Sequence, residues 1–398
     1  MDVRTVAVVT VGRSDFGIYM PVLRAIEADS KLKLHLIVTG GHLSPLFGWT
    51  VNEITRQGFE IGDRVNMLMS ADTPEAIAMS MGQGTIGMAQ VYARVKPDLL
   101  LVLGDRFEMH AAALAAVPFR IPVAHIHGGE VTHGAIDDVL RHAITKYSHL
   151  HFASTEEHAR RIVQLGEEPW RVTVSGAPSL DNLKTLELMD LPELEAAVGM
   201  KLDRPPVLVT FHPVTLQYEH AEAQVERFLA ALRAFDVPLV ITKSNADTNG
   251  QTIIRMMEAF VRERPAAQLL DNLGTRGYFS LMARAAAMIG NSSSGIIEAA
   301  SFGLPVVNVG LRQSGRPRSG NVIDVDCETE QIVRAIRRAT EPPFRAALRG
   351  MSNIYGDGSA AKIIVDRLAS TPLDERLTLK RFHDLKGNRQ ILAEAAVA

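Results

Sequence analysis

Gly290-Asn291-Ser292-Ser293-Ser294-Gly295, followed by Glu298, joins residue types that can hold an anion: hydroxyls, glycine-freed peptide N–H groups and a carboxylate one helical turn on. An apolar run at 285–289 precedes the turn and a helical pattern through Ile296, Ile297 and Ala300 follows it. The spacing therefore predicts a strand, a turn and a helix, with the serines at a helix N-terminus, where unpaired N–H groups favour phosphate. Glu298 is then placed to meet the ribose hydroxyls of a nucleotide, as acidic residues do in dinucleotide folds. The same serines also answer the simpler need for a helix cap.

A second group of residues suits proton transfer. Gly104-Asp105-Arg106-Phe107-Glu108 follows the apolar run 99–103, and His125-Ile126-His127-Gly128-Gly129-Glu130 closes the next apolar run. Asp137, Asp138, Arg141 and His142 open the helix after it. Charged groups at the rim of buried strands are costly unless they are paired or used, so salt bridges and general acid–base chemistry at carbon are the competing readings. Ligation by His125, His127 and His133 is disfavoured, because no H-E-x-x-H or similar spacing is present; no metal is expected.

Three further motifs follow apolar runs. Gly12-Arg13-Ser14-Asp15-Phe16-Gly17 is not G-x-G-x-x-G, which argues against a nicotinamide dehydrogenase and leaves Arg13 as a diphosphate contact or a solvated loop residue. Phe211-His212-Pro213 offers a phosphate contact, an acid or a capping histidine. Lys243-Ser244-Asn245-Ala246-Asp247 lies at the same predicted sheet edge, and Arg312 or Arg316 is suited to clamp a diphosphate bidentately.

The elements that must position these groups are short continuous apolar runs alternating with helical patterns. They fall at 6–11, 34–38, 99–103, 123–126, 151–153 and 172–174, then at 207–210, 239–242, 268–270, 287–289 and 306–309. Unbroken hydrophobicity implies strands buried on both faces, hence parallel sheets covered by helices. The fold class expected is α/β, with two doubly wound Rossmann-like domains facing a cleft. Their extents are 1–180 and 204–372, with a polar linker at 181–203 and a C-terminal amphipathic helix at 373–398 that packs on the first domain. Strand carboxyl ends are where such folds bind ligands.

A chain of 398 residues exceeds a single typical core and suits two. Its apolar fraction of 46% and charged fraction of 22% are those of an ordinary globular protein. A net charge of -3 supplies no field for nucleic acid or an anionic membrane, so neither is expected as a partner. The single cysteine, Cys327, excludes an internal disulfide, and neither a signal-peptide pattern nor a membrane-length apolar run is present. The cytoplasm is the expected location.

Taken in order, Gly104 to Glu108, His125 to Glu130, Ala135 to Lys146, His212-Pro213, Gly290 to Gly295 and Arg312-Gln313 resemble the hydrolysing UDP-N-acetylglucosamine 2-epimerases. The likeness is strongest to the branch serving sialic and legionaminic acid synthesis, and it spans roughly residues 5 to 370. It implies a glycosyltransferase-B-like fold with UDP held mainly by the second domain, no cofactor and a homodimer. It further implies anti elimination of UDP through a 2-acetamidoglycal, followed by addition of water. By that likeness Asp105, Glu130 and Asp137 are proton-transfer carboxylates, with His127, Arg141 and His212 also at the reacting centre. Arg13, Asp15, Arg106, Asn245, Ser292, Ser293, Glu298 and Arg312 are the implied substrate contacts.

Two departures from the family pattern stand out. His127-Gly128-Gly129-Glu130 replaces the Glu-Gly-Gly-Glu of mammalian-type relatives, so an imidazole stands where a carboxylate is expected, and Gly17 replaces a phosphate-contacting serine. The expected reaction converts UDP-N-acetylglucosamine into UDP and N-acetylmannosamine. The alternatives are the same reaction on a UDP-2,4-diacetamido-2,4,6-trideoxy sugar, a glycosyltransferase of the same fold, and a non-catalytic UDP-sugar sensor.

Overall fold

The computed structural model describes residues 3–45, 48–71, 73–132, 136–212, 221–243, 250–271 and 273–385. The apolar runs become two parallel sheets. The first holds β1 (Arg4–Thr10), β2 (Leu32–Thr39), β3 (Ile61–Val65), β4 (Leu99–Leu103), β5 (Val123–Ile126), β6 (Leu150–Ala153) and β7 (Val172–Val174). Their spatial order is β3-β2-β1-β4-β5-β6-β7. The second sheet holds β8 (Val207–Thr210), β9 (Leu239–Thr242), β10 (Ala267–Leu270), β11 (Ala287–Gly290), β12 (Val306–Val309) and β13 (Val322–Val325), ordered β10-β9-β8-β11-β12-β13.

Both orders reverse direction at one place, between β1 and β4 and between β8 and β11. Val8 pairs with Leu36 on one side and Leu101 on the other, and Val209 likewise lies between Ile241 and Ile289. Crossovers leave toward opposite faces from such a point, opening a crevice at the strand carboxyl ends. Helices cover both faces, so every residue of β4 and β8 is buried.

Two strands, β3 and β13, lie outside the apolar runs read from the sequence. Both are edge strands, and both carry charged residues in partly exposed positions, Asp63 and Arg64 in one and Asp324 in the other. Edges need no continuous hydrophobicity and tolerate charge that discourages further pairing.

Packing divides the chain into two compact units. One comprises Met1–Glu130, Ile136–Asp181 and Gly358–Ala398; the other comprises Val131–Ala135 and Asn182–Asp357. The stretch 181–203, expected as a linker, is structured: Leu194 and Val198 of the helix Leu191–Val198, with Leu202, enter the core of the second unit. The helix Ala360–Ser370, expected within the second domain, buries Ile364, Val365 and Leu368 in the core of the first. Asp181 caps that helix, accepting from the N–H groups of Ala360 and Ala361 at 3.0 and 2.6 Å. Polar composition misread the first segment as a linker, while the second carries an amphipathic pattern that does not say which core it joins.

The expected C-terminal helix is also shorter. Glu375–Thr378 is helical, residues 379–385 are not, and 386–398 lie outside the described residues. Fully buried Arg171 holds this segment, donating to the carbonyls of Leu377, Arg376 and Leu379 at 2.8, 2.9 and 3.4 Å while its Nε meets Glu168 at 2.9 Å. Truncation strands all these acceptors at once. We expect Arg171→Ala to lower stability by about 3–5 kcal/mol in urea unfolding. A loss under about 1 kcal/mol would show that the segment is held by its apolar contacts instead.

Candidate active site

In the first unit the site residues gather at the carboxyl ends of β4 and β5. Gly104 leaves β4 with φ +74, a left-handed turn, and its N–H donates to Ile126 O at 2.9 Å. Its carbonyl accepts from His125 Nε2 at 2.7 Å, so the two strand ends are clamped and Asp105 is fixed at the turn. Burial pushes His125 down to about 3, so this clamp is a neutral imidazole. The Asp105 carboxylate is ion-paired with Arg141, a residue only 2% exposed on the helix Ile136–Tyr147. Asp138 lies 3.7 Å from the same guanidinium.

Arg106 forks onto Glu108, with Nε and Nη2 at 3.2 and 3.0 Å from its two oxygens, and Glu108 is fully buried. Burial disfavours the guanidinium charge, but Glu108, Asp15 and Asp137 together hold its pKa above the ordinary value. Asp137 thus stands in the electrostatic neighbourhood of Arg106. Asp15 is engaged locally, accepting from Thr10 Oγ1 at 2.6 Å, Val11 N at 3.0 Å and Gly12 N at 2.6 Å. Burial pushes its carboxyl up to about 6, against the pull of those donors. It shapes the turn that presents exposed Arg13 on the first turn of the helix Arg13–Ala28.

Glu130 and His127 meet directly, Nδ1 to Oε1 at 2.5 Å, and Ser154 Oγ donates to the same oxygen at 2.9 Å. Glu130 is 3% and His127 8% exposed. Ser154 in turn lies 2.8 Å from His158 Nδ1. The sequence reading missed Ser154 and His158; both sit just past β6, where the strand-end rule that found the other motifs applies equally.

In the second unit Asn291 organises the crevice. Its Oδ1 accepts from His212 N at 2.7 Å and its Nδ2 donates to His212 O at 2.9 Å, locking the ends of β8 and β11 together. Its carbonyl accepts from Arg312 Nη1 at 3.0 Å and Gln313 Nε2 at 2.9 Å. His212 is buried, and burial followed by the Arg312 charge lowers it to about 3. Gly290 has φ +136, and a Cβ there would meet Thr210 O at 1.9 Å, so only glycine lets the turn begin this close to β8.

Ser292 is the N-cap of the short helix Ser293–Ile297, accepting from Ser294 N at 3.3 Å, so the capping role is real. The hydroxyl of partly buried Tyr278, pushed up to about 12 by desolvation, lies 3.5 Å from Thr210 Oγ1. Ser293 and Glu298 occupy the first and the capping position of that helix, while Asn245 lies outside the described residues. Among the described residues no group of three His, Cys, Asp or Glu could hold a metal ion, and no helix is long and apolar enough to cross a membrane.

Two parallel sheets of Rossmann type, each with its polar motifs at the reversal of strand order, define a glycosyltransferase-B-like α/β protein. The family model of UDP-N-acetylglucosamine 2-epimerase matches residues 24–369, and the chain belongs to that family. It is 38% identical over 347 residues to the GDP/UDP-N,N'-diacetylbacillosamine 2-epimerase (hydrolyzing) of Campylobacter jejuni, covering 87% of this chain and 90% of that one. It is 35% identical over 378 residues to the UDP-N,N'-diacetylbacillosamine 2-epimerase (hydrolyzing) of Legionella pneumophila, covering 95% and 99%. The fold matches UDP-GlcNAc 2-epimerase from Neisseria meningitidis bound to UDP-GlcNAc with a TM-score of 0.80 at 22% identity, over 92% of this chain and 100% of that one.

The buried imidazoles set a pH dependence. His125 and His212 sit near 3 and His158 near 4, each lowered by burial, so they stay neutral while their unfolded counterparts charge below 6.5. The unfolded chain then binds more protons as pH falls, and stability is lost below about 6.5, at up to about 1.4 kcal/mol per imidazole per pH unit. Asp15 opposes this between about 6 and 3.8, since its raised carboxyl takes up a proton first in the folded chain. We expect the urea midpoint to be level above about pH 7 and to fall steadily from about 6.5 to 4.5. A midpoint unchanged down to about pH 4.5 would mean that these rings are hydrated in solution.

Proposed function

We propose that this chain is a hydrolysing 2-epimerase that converts a UDP-linked 2-acetamido sugar and water into UDP and the free 2-epimeric sugar. One observation carries the reading: Asp105, paired with Arg141, and Glu130, bonded to His127, stand at the ends of adjacent strands β4 and β5. Two carboxylates following adjacent strands suit successive proton transfers at carbon. In the proposed sequence one carboxylate takes the C2 proton while the C1–O bond to UDP breaks, leaving a C1–C2 double bond. Water then adds its oxygen at C1, and C2 is reprotonated on the opposite face. Asp105, Glu130 and Asp137 are the proton-transfer groups of this proposal, and no cofactor enters it.

The proposal assigns the nucleotide to the second unit. Ser292, Ser293 and Arg312 offer hydroxyl, N–H and guanidinium donors for a diphosphate, Glu298 an acceptor for ribose, and His212 a neutral imidazole donor. Arg13 and Arg106 of the first unit complete the assigned contacts, with Asn245. Asp15 acts through the turn it builds. By family likeness the proposal extends to a homodimer working in the cytoplasm.

For the sugar we favour UDP-N,N'-diacetylbacillosamine, named in the relatives at 38% and 35% identity. UDP-N-acetylglucosamine is the second reading, supported by the ligand of the structurally similar Neisseria protein. Offering both donors to the purified chain in D2O, without any acceptor, should release UDP and a 2-epimer deuterated at C2, faster from the diacetylated donor. Unlabelled product would sink the elimination step. UDP release only when an acceptor sugar is added would point to a glycosyltransferase, and tight binding without release to a sensor.

Asp105→Asn keeps the shape and removes the charge. We expect turnover to fall by about 10²–10⁴-fold with UDP affinity within about threefold of wild type. Collapse of UDP binding by titration calorimetry would make Asp105 a structural residue instead.

A further inference from the structure

We infer that His127, Ser154 and His158 form one hydrogen-bonded support for the carboxylate of Glu130 and are positioning residues for it, an inference that rests on the functional reading above. His127 Nδ1 donates to Glu130 Oε1 at 2.5 Å and Ser154 Oγ donates to the same atom at 2.9 Å. Ser154 has one proton and spends it on Glu130, so at 2.8 Å its oxygen must accept from His158 Nδ1–H. That fixes the His158 tautomer, and its ring is neutral because burial lowers it to about 4. Glu130, Ser154 and His158 are all nine-tenths or more buried, as is His127. A carboxylate taking two donors on one oxygen in such surroundings is held in one rotamer.

The backbone is bent to make this contact. His127 has φ +64 and Gly129 φ +76, both left-handed, which turns the chain back so that residue 130 faces residue 127. A Cβ on Gly129 would meet His158 O at 2.2 Å, and Arg161 Nη1 donates to Gly129 O at 2.5 Å, so the turn is pressed against the helix carrying His158. The imidazole at 127 therefore does not replace a missing carboxylate as the reacting group. Its Nδ1 is committed to Glu130, and the carboxylate remains the group that meets the sugar.

Asparagine separates the two roles of His127. Its Nδ2 occupies the branch position of imidazole Nδ1 and can donate to Glu130, it tolerates a left-handed backbone, and it has nothing equivalent to Nε2. With the donor that wild type uses better, we expect His127→Ala and Ser154→Ala each to lower kcat by about 10–100-fold, with KM and UDP affinity within about threefold of wild type. His127→Asn should recover kcat to within about fivefold of wild type. His127→Asn as inactive as His127→Ala would overturn the inference, because Nε2 would then be moving a proton. Unchanged kcat in Ser154→Ala would overturn it as well, and this variant, which removes one oxygen, decides the matter should His127→Ala fail to fold. Wild-type protein that turns over neither donor would overturn the functional reading and this inference with it; active wild type with the wrong ranking overturns the inference alone.

Discussion

The reversal of strand order between β1 and β4, repeated between β8 and β11, is the constraint on which the rest depends. A parallel sheet sends all its strands out at one edge, and only where neighbouring crossovers part to opposite faces does that edge stay open. Asp105 leaves β4, His212 leaves β8 and the serine turn leaves β11, all at the reversals, while His127 and Glu130 leave β5, the next strand along the same edge. Within each unit, polar motifs scattered in sequence are thus gathered along one sheet edge by the way the crossovers are threaded.

Strand ends alone do not hold side chains still, and in both units a buried polar group ties neighbouring ends together. His125 bonds the carbonyl of Gly104 across β4 and β5, and Asn291 makes a reciprocal pair with the backbone of His212 across β8 and β11. Both clamps use peptide groups just beyond a strand end, Gly104 after β4 and His212 after β8, where the ladder no longer supplies every partner. Satisfying those groups with a neutral side chain avoids burying charge, which is why burial can drive His125 to about 3 without loss of the bond.

Much of this was legible in the sequence, and what escaped had a physical cause. Runs such as 99–103 and 207–210 announced central strands because both faces are covered, and they match β4 and β8 residue for residue. The edge strands β3 and β13 carried no such signal, since half their surface is free to hold Asp63, Arg64 or Asp324. Motifs with several polar residues in a row, like the one ending at Glu130, were readable one by one. Ser154 and His158 were not, because a serine past a strand and a histidine on the next helix look ordinary until Glu130 is seen beside them. The paired roles of Arg141 and Asp105, 36 residues apart, likewise required the fold to bring them together. The return of the helix Ala360–Ser370 to the first unit has no sequence signature beyond amphipathicity, which does not say whose core a helix will enter.

The two units also differ in how they use charge. In the first, acids near the strand ends are matched by neighbouring cations or donors: Asp105 by Arg141, Glu108 by Arg106, Glu130 by His127 and Ser154. Such matching offsets the cost of holding a carboxylate away from water, which an isolated one would bear in full. In the second, the crevice is lined by hydroxyls of Ser292, Ser293 and Ser294 and by a His212 ring held neutral by burial, with Arg312 adding a full positive charge beside it. A surface of N–H and O–H dipoles with one guanidinium accepts a diphosphate without repelling it, and it does not compete for a proton. In the proposed elimination this difference matters, because the group that removes hydrogen from carbon must not be neutralised by the site that receives the departing anion.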